Sequence, residues 1–125
     1  LKSIPVISAG VAAYDGNPAS SYSVKALKDV GLDLSDHRSQ MLTRKLIEEA
    51  SVILVMTEMH KIAIEEEHGK VKPPVLLFRG FMPTERQVTD PFGSDYSTYK
   101  DCRDAIAEAV PSVVAYLKEH AAQAN

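Results

Sequence analysis

Two kinds of apolar pattern alternate along the chain. Val52–Met56 ("VILVM") and Val75–Phe78 ("VLLF") are apolar at every position, and Ile4–Ser8 ("IPVIS") is a shorter run of the same kind, ending before Ala9-Gly10. Unbroken apolar runs of this length suit strands whose two faces are both covered, as in a parallel sheet. Elsewhere the apolar positions recur at helical spacing. Ser20 to Val30 reads as a helix closed by Gly31, which stands where a residue of positive φ belongs. Thr43 is placed to cap a short helix through Ala50, and Thr57 to cap a second one from Glu58 to about His68, closed by Gly69. The last helix is expected from Ser97 to Glu119, with Tyr99, Cys102, Ile106, Val110, Val113, Val114 and Leu117 as its apolar stripe. Pro111 removes one donor from that helix and predicts a kink or a wide turn there.

The order is strand, helix, short helix, strand, helix, strand, long loop, helix. It predicts one α/β domain over residues 1–125, a three-layer, doubly wound parallel sheet. Three strands are few for such a sheet, which leaves something absent from the layer. Composition agrees with a globular domain: 45% of residues are hydrophobic and 25% charged. With 14 basic and 17 acidic residues the net charge is −3, which argues against sequence-independent nucleic-acid binding. No apolar run has the length of a membrane span, and none has the form of a signal peptide. The one cysteine, Cys102, forbids an internal disulfide and fits a cytoplasmic protein. With four scattered histidines it makes no metal-ligand spacing, so no metal or other cofactor is expected.

Candidate chemistry concentrates at "TDPFGSD", Thr89–Asp95. Asp-Pro-x-Gly is a common turn, because proline sets φ and glycine accepts φ > 0. The same aspartate, on a loop before a helix, could also be a proton donor. Cys102 lies on the apolar stripe of the last helix, so it reads as a core thiol rather than a nucleophile.

Three stretches decide between these readings: "SAGVAAYDGNPASSYSVKALKDVGLDLSDHRSQMLT", "EEASVILVMTEMH" and "VTDPFGSDYSTYKDCRDAI". Together, in this order and spacing, they resemble the low-molecular-weight protein tyrosine phosphatases, and most of all their bacterial protein-arginine phosphatase branch, in which Asp-Pro-Phe-Gly is common. The resemblance runs from about Pro5 to Leu117. It implies a four-stranded parallel sheet and a phosphatase that removes phosphate from protein phosphotyrosine or phosphoarginine through a cysteinyl-phosphate intermediate. Asp90 is then the general acid, and later the base, with Pro91 fixing its approach. Phe92 would wall the pocket, or else pack on the last helix; Tyr14 would be a second aromatic wall, or an exposed loop residue. His37 and Ser8 take supporting roles near the phosphate loop. Phosphorylated proteins are the implied substrates, phosphate or sulfate the implied active-site anion, and no cofactor is implied.

The departure from the family is large. Its phosphate loop, Cys-x5-Arg after the first strand, has no counterpart in residues 1–125, where Cys102 is followed at once by Arg103. The expectation is therefore a domain lacking its N-terminal strand, phosphate loop and first helix, on the order of 30 residues. In the family that strand lies between those matched by Val6–Ser8 and Val52–Met56. Val6–Ser8 is thus expected to have no ladder partner, and a strand-wide apolar slot is expected beside Val52–Met56. A degenerate, non-catalytic binding domain is the alternative function. An arsenate reductase of the same fold is disfavoured, since "VMTEMHKIAIEEEHG" carries no relay cysteine.

Overall fold

The computed structural model describes residues 5–11 and 15–120. Its elements are α1 (Ser21–Lys28), α2 (Arg44–Glu49), β1 (Ile53–Val55), α3 (Glu58–His68), β2 (Val75–Leu77) and α4 (Tyr96–His120). β1 and β2 pair in parallel, Ile53 opposite Val75, Leu54 opposite Leu76 and Val55 opposite Leu77. The eleven-residue α3 makes the crossover that parallel pairing requires, and it packs against both strands.

Helix boundaries follow from local chemistry. The side chains of Ser20, Thr43 and Thr57 accept the N–H groups of Ser23, Leu46 and His60, which α1, α2 and α3 would otherwise leave unpaired. Gly31, at φ 83°, ends α1 with two return bonds: Leu32 N–H to Leu27 O and Gly31 N–H to Lys28 O. Asp95 starts α4 by accepting the backbone N–H and the hydroxyl of Thr98 at 2.9 and 2.8 Å. The helix then runs without a break through Pro111, where the sequence predicts a kink or a wide turn. Its buried side is Tyr99, Ala109 and Val113, with Cys102 and Ile106 half-buried. Val110, expected on the stripe, is exposed: the three-and-four spacing from Ile106 to Val113 passes through Ala109.

Two packed groups result. Ile47, Val55 and Ile64 are buried together, joined by Leu42, Ile53, Val71, Val75 and Leu77, so the alternate residues of β1 and β2 face α2 and α3. The other group is α1 on α4. Ala26 is buried there and its carbonyl accepts Arg103 Nη1 at 2.8 Å, while Tyr22 packs on the rings of Tyr96 and Tyr99 and the Tyr96 hydroxyl donates to Asp29.

The predicted strand Ile4–Ser8 is corrected. Ile4 lies outside the described residues, and residues 5–9 form no strand, with Val6 and Ile7 90% and 62% exposed. The α/β parallel class stands, but among the described residues the sheet has two strands rather than three. The physical reason is that an extended segment needs a neighbour to satisfy its ladder. Among the described residues none lies beside Pro5–Ala9; only Gly10 makes an isolated parallel bridge, to Met41. β1 is open on its far side in consequence. Ile53 N–H and Val55 O bond toward β2, so the N–H and C=O of Leu54 point to an edge that carries no strand among the described residues. A groove of about 120 Å³ opens near the core on the α3 side, between Val11, Met41 and Leu42 and the Ala63–Ile64 face of α3.

Two predictions follow from this packing. Ile64→Ala should destabilise the chain by about 2–5 kcal/mol, whereas truncating the exposed Met59 on the same helix should stay within about 0.5 kcal/mol; denaturant titration of the purified variants checks both. The second is acid-sensitive. The Thr98 N–H, then its hydroxyl, hold the Asp95 carboxyl below its ordinary value of 3.8. Its contribution is therefore complete above the ordinary aspartate range and is lost as pH falls through the lowered folded value. Asp95→Asn should flatten the acid limb of a melting-temperature profile below about pH 4 and leave a constant offset above it.

Candidate active site

Parallel pairing puts the carboxyl ends of β1 and β2 on one side, the side on which open α/β sheets bind ligands. The chain leaving β2 returns to that end of β1. Val88, itself buried, donates its N–H to Met56 O at 2.8 Å, and Gln87 Oε1 accepts the first N–H of α3, from Glu58, at 2.8 Å. Asp90 follows two residues later. Its Oδ1 accepts the N–H of Phe92 at 3.0 Å, and Ser94 N–H closes the turn on Pro91 O with Gly93 at φ 81°. The turn reading of Asp-Pro-x-Gly holds. Asp90 forms the turn with one oxygen, and its side chain stays exposed at the end of the sheet.

Phe92 is 82% exposed, so packing on α4 is not its role. Pro91 is half-buried. Cys102, on α4, is half-buried rather than a core residue; burial and then the nearby Asp90 charge push its thiol up. A thiolate nucleophile needs the opposite environment.

Ser8 and His37 belong to a second group. Ser8 O accepts Gln40 Nε2 at 2.8 Å, and Gly10 N–H bonds Gln40 O, which ties residues 8–10 to the loop after His37. That loop is braced from within: the Ser35 hydroxyl and N–H on Asp33 hold its carboxyl below the usual range. His37 donates its backbone N–H to Leu34 O and its ring is half-buried. Tyr14 lies outside the described residues. Its neighbour Asp15 accepts Met41 N–H at 2.8 Å, which anchors the loop on the same segment. Among the described residues no hydrogen bond or ring contact joins this group to Asp90, Pro91 and Phe92. Nor do any three His, Cys, Asp or Glu side chains among them converge as metal ligands, and no helix there is long and apolar enough to cross a membrane.

One contributor escapes sequence reading. Arg79 is 4% exposed and forks three backbone carbonyls: Nε to Glu85 O at 2.6 Å, Nη1 to Ala105 O at 2.7 Å and Nη2 to Thr84 O at 3.4 Å. Nη2 also lies 3.6 Å from Glu108 Oε1, a pair on the solvent side that contributes little. Glu85 sits at φ 50°, a left-handed conformation that costs a non-glycine residue about 1–2 kcal/mol. The signal available was only an arginine directly after an apolar strand, where a surface charge is the ordinary reading.

Comparison with known proteins fits this arrangement. The model of the low molecular weight phosphotyrosine protein phosphatase family matches residues 1–123. The chain is 32% identical over 117 residues to a protein-arginine-phosphatase of Bacillus subtilis, covering 93% of this chain and 77% of that protein. It is 30% identical over 118 residues to EpsP of Ralstonia nicotianae, a probable low molecular weight protein-tyrosine-phosphatase, covering 94% and 80%. The solved structure of the YwlE arginine phosphatase from Geobacillus stearothermophilus superposes with a TM-score of 0.85 at 31% identity, over 94% of this chain and 77% of that one. A match along the full described fold, at these identities, leaves one conclusion: the chain belongs to the low molecular weight phosphotyrosine protein phosphatase family.

Proposed function

We propose that this chain carries the acid–base half of a protein phosphatase that acts on phosphotyrosine or phosphoarginine, with Asp90 as the proton carrier. The observation that supports it most is the Asp90 carboxyl, held by the Phe92 N–H on a loop docked through Val88 at the carboxyl end of β1, and open to solvent. In the first step a thiolate attacks phosphorus and the bond to the leaving oxygen or nitrogen breaks. The protonated Asp90 gives its proton to that atom. In the second step the Asp90 carboxylate takes a proton from water as it attacks the phosphocysteine; the P–S bond breaks, and phosphate and thiolate are released. Phe92, exposed beside this carboxyl, offers a face on which an aryl ring or guanidinium can lie. Pro91 keeps the turn in register; Ser8, His37 and Tyr14 are assigned to the loop system that supports the phosphate site.

Residues 1–125 contain no Cys-x5-Arg, and Cys102 has neither the spacing nor the environment to replace it. The reading therefore assigns nucleophile and phosphate clamp to a strand–loop–helix unit outside these residues, seated along the open edge of β1. Phosphorylated proteins are the proposed substrates, phosphate or sulfate the anion bound, and the cytoplasm the setting. Relatives of both kinds, arginine and tyrosine phosphatases, keep both phosphoryl substrates in the proposal.

The test joins residues 1–125 to the opening strand, loop and helix of the Bacillus subtilis relative. The joined protein should hydrolyse aryl phosphates, and residues 1–125 alone should not. In the joined protein Asp90→Asn should slow turnover of substrates with poor leaving groups by about 10²–10⁴-fold, and of those with good leaving groups much less. Equal losses on both would mean that Asp90 only shapes the loop. Phosphate binding without turnover would favour a non-catalytic binding domain.

A further inference from the structure

The segment carrying Asp90 has two limbs, and both end on one guanidinium. Thr84 and Glu85 lie on the limb that enters the Asp90 turn, Ala105 lies on the helix that leaves it, and Arg79 holds a carbonyl of each. The entering limb contains Glu85, the single non-glycine residue at positive φ among the described residues, and its carbonyl is the one that Arg79 Nε takes at 2.6 Å. A conformation of that kind persists only where its surroundings hold it. Beyond it, the limb is held by Gln87 on Glu58 N–H and by Val88 on Met56 O, and both contacts need residues 84–86 to leave Arg79 in the right direction.

We propose that Arg79 is a positioning residue for catalysis: by joining Thr84 and Glu85 to α4, it sets the distance at which Asp90 stands from the leaving group. The inference rests on the reading of Asp90 as the general acid. A guanidinium suits the task because its planar fork aims several N–H donors at fixed angles, which a lysine ammonium cannot do. Burial strengthens the demand, since a guanidinium taken out of water needs these carbonyls as its partners. Arg79 makes no hydrogen bond or ion pair with Asp90. Its effect is on where the carboxyl is, not on which proton it carries.

Arg79→Met and Arg79→Lys, made in the joined protein beside Asp90→Asn, test this. Arg79→Met should lower kcat on an aryl phosphate with a poor leaving group by about 10–10²-fold, the scale of an ångström's misplacement, with KM little changed and a good leaving group largely spared. Arg79→Lys, which keeps the charge and a donor, should restore part of the loss. Amide exchange should quicken at Val88 and through residues 84–94 while β1, α2 and α3 keep their protection. Equal losses on both substrates, or unchanged exchange in residues 84–94, would overturn the proposal. Should Arg79→Met fail to fold, the lysine variant carries the same two readouts. The Asp90→Asn arm separates the causes. If it alone shows leaving-group dependence, the positioning role fails and the acid reading stands; if it shows none, the acid reading fails and the positioning role with it.

Discussion

The parallel pairing of Ile53–Val55 with Val75–Leu77 is the constraint on which the rest of this structure depends. Parallel strands cannot be joined by a short turn, so the eleven residues of α3 must cross from the end of one to the start of the other. That crossover buries Ile64 against Ile47 and Val55, and it leaves the carboxyl ends of both strands facing the same way. The segment that carries Asp90 is then hung from that end. Val88 returns to Met56, Gln87 to the start of α3, and the Asp90 turn follows directly.

The same pairing explains what is unfinished. A strand in the middle of a sheet has hydrogen-bonding groups on both sides, and only one side of β1 is used within the described residues. Of the predicted strand Ile4–Ser8, residues 5–8 form no strand and stay exposed, because no strand among the described residues completes a ladder with them. The two packed groups, β1–β2 with α2 and α3, and α1 with α4, are linked by the buried Arg79 guanidinium. It spans from the end of β2 to the carbonyl of Ala105, and it gathers the strained Glu85 on the way. The limb that leads to Asp90 and the helix that follows it therefore meet at one side chain.

Chemically the chain is asymmetric. It presents a carboxyl on a braced, solvent-facing turn, and its one thiol sits half-buried with the carboxylate nearby, which disfavours the thiolate. Proton transfer is the role proposed for such a carboxyl, and the surroundings of Cys102 disfavour a thiolate. The proposed reaction needs both, and the proposal seats the other half along the open edge of β1.

By itself, the sequence determined the local elements. Thr43 and Thr57 were legible as caps, Gly31 and Gly69 as stops, and the runs at 52–56 and 75–78 as parallel strands, because caps, stops and apolar runs are decided by groups within a few residues of one another. The order of motifs around "TDPFGSD" also carried the family and pointed to Asp90. Tertiary structure decided whatever depends on a distant neighbour. Ile4–Ser8 has strand-like residues, but a strand exists only when a second one is alongside. Val110 and Ala109 fit one helical stripe about equally, and packing chose the smaller residue for the buried side. Arg79 looks like a surface charge until the carbonyls of Thr84, Glu85 and Ala105, 5 to 26 residues away, converge on it. No local pattern encodes that convergence, because its partners are backbone carbonyls, which every residue possesses.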